Sequence, residues 1–587
     1  MMLKKPLVLS DIIRVTVIGI FVGVISGVGA VIFHATLEFS THHLLGFTGF
    51  KSPDISGNWN PPDPLKLLVV MVLGGLACGS IVYTLAPEAE GHGTDEAIKA
   101  FHKKGGKVRA RIPIIKTIAS AITIGSGGSA GREGPTAQIS AGYGSIVAEI
   151  LKLTPRERRL ALAVGIGAGI GSIFKAPLGG AILSAEILYK RDFETEALIP
   201  SLIASIIGYV IFCTYDGYEP IFYFPEVHIL AHHIPFFILE GLVCGVVGLV
   251  YIVMFYNTRE IFSKFFERYN IPLVLKPALG ALIACLIVIA VSKTFNPLAG
   301  YGALGMGYGF LQLAMIGSLS LSVMLVLAIV KMITTSLTIG SGGSGGVFAP
   351  GIVIGGMVGG ALGLTFHNIF PEFVTLDVVP AFVAVGMIAL FGGISKAPIS
   401  VLIMICEMTK NYELLFPGMA AVAVSYVVTG DYTIYSEQVN TRMDSPAHRY
   451  EMAIDLLEDV RVDEAMSKNV LTVSPNHTVI DVLRLIEKTG YMGFPVLEDG
   501  KLVGIITFED VEKIPIEKRA NTKVKDAMTP NPVTVTPKDD LKTALEKMVV
   551  RGVGRLPVVE NGKLVGIITK GDIVRAYVRI KRKLGIV

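Results

Sequence analysis

Gly125-Ser-Gly-Gly-Ser-Ala-Gly-Arg-Glu-Gly-Pro135 and Gly340-Ser-Gly-Gly-Ser-Gly-Gly-Val-Phe-Ala-Pro350 are two versions of one segment, offset by 215 residues. Each is a Gly/Ser loop that ends in Pro before an apolar run. Downstream, Ile173-Phe-Lys-Ala-Pro-Leu-Gly-Gly-Ala-Ile-Leu-Ser-Ala-Glu-Ile187 resembles Ile394-Ser-Lys-Ala-Pro-Ile-Ser-Val-Leu-Ile-Met-Ile-Cys-Glu-Met408, offset by 221. Two matches in the same order at nearly the same offset indicate a duplicated half. Glycine lets backbone amides come close to a bound group, and Pro fits the first turn of a helix, where its missing N–H has no partner. Amides at a helix start carry fixed partial positive charge, which suits an anion. Gly91-His-Gly-Thr-Asp-Glu96 is a third loop of this kind, ahead of a helical run through Phe101.

The surroundings of these loops are those of a membrane protein. Of 587 residues 51% are hydrophobic and 17% charged, and the mean hydropathy is +0.61. Apolar stretches recur at roughly 13–33, 65–86, 160–188, 198–214, 235–256, 276–294, 311–335, 347–366, 377–406 and 414–430. Many approach the ~20 residues of a spanning helix, while others are interrupted by Gly and Pro. That mixture predicts re-entrant or discontinuous helices, and an inverted arrangement of the two halves is the expectation for a transporter. Lys103–Arg111 and Arg156–Arg159 mark cytoplasmic loops. Lys4 and Lys5 precede a first apolar segment with no cleavage-site pattern, so it reads as a retained membrane segment. The five cysteines all lie in apolar segments without a Cys-x-x-Cys, as small core residues do.

From about residue 440 the chain becomes polar, and a second repeat begins, offset by 62. Val-Asp-Glu-Ala-Met466 recurs as Val-Lys-Asp-Ala-Met528, and Asp499-Gly-Lys-Leu-Val-Gly-Ile-Ile-Thr507 as Asn561-Gly-Lys-Leu-Val-Gly-Ile-Ile-Thr569. Asp-Gly and Asn-Gly between apolar runs predict tight hairpins. Val479, Val482, Leu483 and Ile486, matched by Leu541, Ala544, Leu545 and Met548, predict an amphipathic helix in each copy. Each copy therefore reads as strand, helix, two-strand hairpin, helix.

Gly-Arg132-Glu133-Gly134-Pro resembles the GREGP motif of the CLC chloride channel and transporter family, and Gly345-Gly-Val-Phe-Ala-Pro350 its GxFxP motif. Tyr435 falls at the family's pore tyrosine, and Asn411-Tyr412 after Glu407-Met-Thr fits its second-half pattern. The tail resembles a tandem pair of CBS domains. The resemblance implies an all-α polytopic membrane domain at 1–440, a linker at 441–462, and α/β CBS-like units at 463–518 and 524–580. It implies a homodimer with one anion pathway per subunit, multi-pass in the cell membrane, with the CBS pair cytoplasmic. Glu133 would be the gate, a carboxylate competing with the anion and released by protonation. Gly91, His92, Gly93, Arg132, Gly134, Val347, Phe348 and Tyr435 would form the anion path. Two departures matter. His92 stands at the family's pore serine, and Asp95 at the proline that follows it. Ile187, next to Glu186, stands where many exchangers carry an inner proton-transfer glutamate, so the position is channel-like. In the tail, Thr507 with Asp510 and Thr569 with Asp572 match the Thr and Asp that contact adenine nucleotides in CBS proteins; the same residues also suit helix caps.

The expected function is chloride transport regulated by the tail, channel-like or weakly proton-coupled, against a fully coupled chloride/proton antiporter. A CBS-regulated cation channel is a distant alternative, because the membrane half is poor in the carboxylates it would need. Gly134-Pro135 departs from the fluoride-exporting branch. No His-Glu-x-x-His or Gly-x4-Gly-Lys-[Ser/Thr] occurs, which speaks against a membrane protease or an ATP-driven pump, and the chain is not expected to be an enzyme. The implied partners are chloride and other small anions, protons, membrane lipid and a second copy of the chain. No metal and no resident cofactor is expected, only AMP, ADP or ATP as a regulatory ligand. The net charge of +4 gives no case for nucleic acid.

Overall fold

The computed structural model describes residues 9–448 and 457–583, so part of the expected linker, 449–456, lies outside the described residues. The chain divides into two units, Met1–Ala447 and His448–Val587.

The first unit is helical. Its helices are α1 (Leu9–Ser40), α2 (Pro64–Leu85), α3 (Thr94–Lys103), α4 (Arg111–Gly125), α5 (Glu133–Ile150) and α6 (Pro155–Ile173). There follow α7 (Pro177–Glu186), α8 (Thr195–Asp216), α9 (Ile234–Arg268), α10 (Lys276–Thr294), α11 (Pro297–Tyr301) and α12 (Tyr308–Met315). The unit closes with α13 (Leu321–Gly340), α14 (Phe348–Ile369), α15 (Val379–Ser395), α16 (Pro398–Thr409) and α17 (Leu415–Thr429). Among the described residues nine helices are long and apolar enough to cross a membrane. All five cysteines are buried and unbridged.

The apolar stretches at 160–188 and 377–406 are each broken in two, and by the same device. Lys175 and Lys396 are left-handed (φ 53° and 56°), Ala176 and Ala397 leave the helical region (φ -128° and -127°), and Pro177 and Pro398 open new helices. Proline has no N–H to continue the previous helix and pushes the residue before it out of the α region. The short helices that result, α7 and α16, cap each other. Glu407, near the end of α16, accepts from the Leu178 and Gly179 amides (3.1 and 2.8 Å). Glu186, at the end of α7, accepts from the Ile399 and Ser400 amides (3.2 and 2.8 Å) and from the Ser400 hydroxyl. A pair in which each start meets the other's end is antiparallel, which is what an inverted repeat requires.

The tail forms one mixed α/β unit. Each copy has a helix (α19, Val479–Thr489; α22, Leu541–Val550) and a hairpin (β1, Gly493–Glu498 with β2, Lys501–Thr507; β4, Arg555–Glu560 with β5, Lys563–Thr569). The turns use Asp499 and Asn561 at positive φ, each followed by a left-handed Gly, as the Asp-Gly and Asn-Gly pairs predict. The leading strand expected in each copy is shorter than the reading gave. It is reduced to the parallel bridges Val473↔Val496 and Val535↔Val558, because Pro475, Pro532 and Pro537 remove ladder donors nearby. The copies also exchange their leading segments. Ser467 pairs with Ile567 of the second hairpin, and Thr529, in β3 (Thr529–Pro530), pairs with Ile505 of the first. Val462, in α18 (Val462–Ala465), packs into the core of the second copy, and Val524, in α21 (Val524–Ala527), into that of the first. Each copy is closed by the other's beginning.

Candidate anion pathway

Four loop-to-helix turns meet at the centre of the first unit. Besides the loops before α5 and α14, they are the loop before α3 and a fourth before α12. Gly91-His-Gly93-Thr94 corresponds to Gly305-Met-Gly307-Tyr308, offset by 214. Gly93 and Gly307 both take positive φ (83° and 84°) immediately ahead of their helices. The loops are cross-tied in pairs. Gly131 and Gly346 exchange two backbone hydrogen bonds (2.7 and 2.6 Å), the Gly345 amide donates to Gly91 O, and the Ala130 amide donates to Gly305 O. Ser120 meets Ser344 at 2.9 Å, and Ser129 meets Thr335 at 2.8 Å. Every one of these contacts has its counterpart shifted by about 215 residues, so the two halves are related by a pseudo-two-fold axis.

Two lysines complete this symmetry. Lys116 on α4 and Lys331 on α13 stand 215 residues apart, and both are 0% exposed. The Lys116 ammonium donates to Ala89 O and Gly91 O (2.9 and 2.7 Å). The Lys331 ammonium donates to Ala303 O and Gly305 O (3.1 and 2.7 Å). Carbonyl oxygens repel an anion, and both ammonium groups tie back carbonyls of these loops.

Glu133 lies within this arrangement. One oxygen accepts from the Tyr308 hydroxyl at 2.8 Å, the other from the Ala349 amide at 3.3 Å. The carboxylate thus sits on the first turn of α14, where Val347 is the cap and Phe348 the first residue. Phe348 packs against Phe174 and Phe391. Gly134 allows the start of α5 to reach the His92 loop: a Cβ there would stand 1.9 Å from His92 O. Arg132 is buried and turns to His34, with Nη1 3.0 Å from the ring Nδ1.

On the other side of the crossing are His92 and Tyr435, both buried, with rings 5.5 Å apart. His92 Nε2 is 3.2 Å from Asp95 Oδ2. Asp95 also accepts from the Ser436 hydroxyl (2.7 Å) and the Glu437 amide (3.2 Å), so this departure from the family motif anchors the tyrosine segment to α3. A cavity of ≈ 140 Å³ opens beside them, lined by Glu90, His92, Asp95, Lys99, Arg259 and Ser436 among others. Ile187 is buried, and Gln438 reaches over to its carbonyl at 2.9 Å. Glu186 is engaged as the cap of α16 described above.

In the tail, Thr507 donates through its amide and hydroxyl to Asp510 (3.1 and 2.8 Å), starting α20 (Phe508–Glu512). Thr569 does the same with Asp572 (2.9 and 2.6 Å), starting α23 (Lys570–Lys583). These residues cap helices, whatever else they bind.

Tyr308, Lys116, Lys331 and His34 escaped the sequence reading. The Gly-x-Gly at 305–307 and the two lysines each repeat at the offset of the main duplication, which is the signal that marks them. His34 carries no comparable signal.

The sequence profile described as Voltage gated chloride channel matches residues 74–430, and that of the CBS domain matches 459–516 and 524–579. The H(+)/Cl(-) exchange transporter ClcA of Yersinia pestis is 29% identical over 57% of this chain and 69% of its own length. Chloride channel protein CLC-f of Arabidopsis thaliana is 25% identical over 93% of this chain and 78% of its own. A crystal structure of a slow cyanobacterial Cl-/H+ antiporter superposes with a TM-score of 0.62 at 24% identity, covering 72% of this chain and 96% of that one. With the family profile spanning more than half of its length, this chain belongs to the voltage gated chloride channel family and carries two CBS domains behind its membrane domain.

Proposed function

We propose that the chain moves chloride and related small anions through one pathway per subunit of a homodimer, that Glu133 is its gate, and that proton coupling is weak or absent. One observation carries the gate: the Glu133 carboxylate rests on the Ala349 amide at the start of α14, where an anion would use the same donors. Protonation removes its charge and with it the reason to stay. An anion leaving Glu133's position passes the Val347 and Phe348 amides and then the Tyr435 and His92 side chains. Weak coupling is supported by Ile187, which has no titratable group, and by Glu186, whose oxygens are committed to the start of α16. A proton crossing here needs a titratable side chain or a file of water. The second reading, a coupled antiporter, is favoured by the name of the Yersinia relative. The tail binds an adenine nucleotide at Thr507/Asp510 and Thr569/Asp572, and its occupancy adjusts flux. The deciding experiment imposes a chloride gradient on reconstituted liposomes and follows protons. Chloride flux with little proton counterflow is expected. Proton uptake against its own gradient, in fixed ratio to chloride, would replace this reading with the second.

A further inference from the structure

We infer that His34 is a proton-responsive residue on the outer side that positions Arg132, and through it tunes how strongly the pathway holds an external anion. The inference rests on the reading of Glu133 as the gate but concerns a different group. His34 lies near the end of α1. Arg14, near the start of α1, pairs with Glu157 (3.3 Å), and Glu196, at the start of α8, pairs with Arg156 (2.5 Å). Both starts therefore lie at the end marked by the basic, cytoplasmic first turn of α6, 156–159. A 22-residue helix advances about 33 Å, so Asp216 at the end of α8, with His34 beside it, is at the outer end.

The ring's hydrogen bonds fix its state. A guanidinium only donates, so His34 Nδ1, 3.0 Å from Arg132 Nη1, must be the acceptor. The ring proton is then on Nε2, which faces Asp216 Oδ1 at 3.0 Å and Glu38 Oε1 at 3.4 Å. The other groups facing the cluster are Lys175, 2.9 Å from Asp216 Oδ2, and the rings of Phe212 and Tyr215; beyond Arg132 stand Tyr308 and Glu133. Glu38 is 61% exposed in its side chain, which gives the cluster an opening to solvent. A second proton on the ring must go to Nδ1. There N–H would face N–H, the acceptor of Arg132 would be lost, and the ring would be held by its two carboxylates while Arg132 is released toward Tyr308 and Glu133. Imidazole is the side chain whose charge changes between about pH 5 and 8. Acidification thus adds positive charge and frees a guanidinium next to the gate, and both favour a bound anion. The same hydrogen bonds argue against a metal at His34, Glu38 and Asp216. With Nδ1 accepting from Arg132, a metal on Nε2 would require the ring to lose its only proton, next to a lysine that already neutralises Asp216.

The test uses full-length protein in planar bilayers, with inner pH fixed and outer pH varied from about 5 to 8. The background is Glu133→Gln, so that the gate carboxylate does not titrate. The external chloride concentration that half-saturates the current is expected to fall roughly fivefold on acidification, the size of one ordinary net hydrogen bond. In Glu133→Gln/His34→Gln it stays at the alkaline value, because glutamine accepts from Arg132 and donates to Asp216 at any pH. His34→Asn serves in the same way if the glutamine protein does not reconstitute. Equal pH dependence with and without the His34 change, or none in Glu133→Gln alone, overturns the proposal. A Glu133→Gln protein that keeps the whole pH dependence of the native current instead overturns the gate, so the two failures are distinguishable.

Discussion

The two duplications in this chain have diverged in opposite ways. In the membrane unit the scaffold pairs are kept while the pairs at the crossing differ. Lys116 matches Lys331, Gly93 matches Gly307 and Ser120 matches Thr335, but Glu133 faces Phe348 across the axis, His92 faces Met306 and Thr94 faces Tyr308. In the tail the reverse holds: Lys-Leu-Val-Gly-Ile-Ile-Thr stands twice without change, and each copy has its Thr-x-x-Asp. On the proposed function, one pathway through a pseudo-symmetric crossing needs a single gate, so a carboxylate on one side must have no twin on the other. Two nucleotide sites in a symmetric tail, as proposed, would need no such choice. Symmetry carries the architecture in both regions, and its breaking marks where the chemistry is unique.

Glu133→Gln is the strongest way to break the comparison. Glutamine cannot ionise, so the crossing then holds no carboxylate on either side. Flux should persist at a raised level and lose most of its dependence on pH. The sign follows from competition: in the native chain acid neutralises Glu133 and raises flux, whereas in the variant, at saturating chloride, the acid limb is flat. Flux assays in liposomes across pH 4.5 to 8 check it, and an acid limb as steep as the native one would remove Glu133 from the gate.

Lys116→Met and Lys331→Met sharpen the comparison from the scaffold side. Each removes two hydrogen bonds from a buried ammonium, at about 1.5–3 kcal/mol per bond to a charged group, while Gly91 O and Gly305 O keep the amides of Gly345 and Ala130. Because the lysines are equivalent, the two losses of thermal stability in detergent should agree within a factor of two. Their functional effects should differ. Lys331 holds the loop that leads to Tyr308, so its loss should disturb pH dependence through Glu133. Lys116 holds the loop of His92, so its loss should alter preference among chloride, bromide and nitrate. Identical functional defects would mean that the lysines act only on folding.

This contrast also explains what could be read without coordinates. The duplicated loops, the broken helices and the hairpin turns are local, each set by a few glycines, prolines or Asp-Gly pairs, and the family resemblance supplied Glu133, Val347, Phe348 and Tyr435. The sequence alone leaves Glu186 and Glu407 open, because a carboxylate near a membrane reads as functional until its partner is seen. That partner is the start of a helix more than 200 residues away. Asp95 likewise reads as a lost proline, and only its contact with Ser436 reveals an anchor. His34 is a single histidine in an apolar helix, and nothing local distinguishes it from a packed core residue. In the tail the hairpins were legible, but the exchange of leading segments was not, since a segment's own copy and its neighbour offer nearly identical cores.

The smallest expected effect tests the symmetric half of the comparison. If the two Thr-x-x-Asp pairs bind adenine nucleotide, calorimetry on the full-length protein with AMP, ADP or ATP should give two sites per chain. Thr507→Val and Thr569→Val should each abolish one site and leave the other. The hydroxyl of each threonine also donates to the aspartate of its own helix, so each substitution should cost about 0.5–1 kcal/mol of local stability with no nucleotide present. Hydrogen exchange at the start of α20 and of α23 reads that cost separately from binding. A cost in exchange without any change in binding heat would reduce these residues to caps. A single heat, lost in only one of the two variants, would mean that the tail has broken its symmetry as the membrane unit has. The divergence would then have to lie outside the identical second strands, for example where α19 is capped by Thr478 and Asp481 but α22 by Asp540 alone, its amide contact being Thr543 at 2.6 Å.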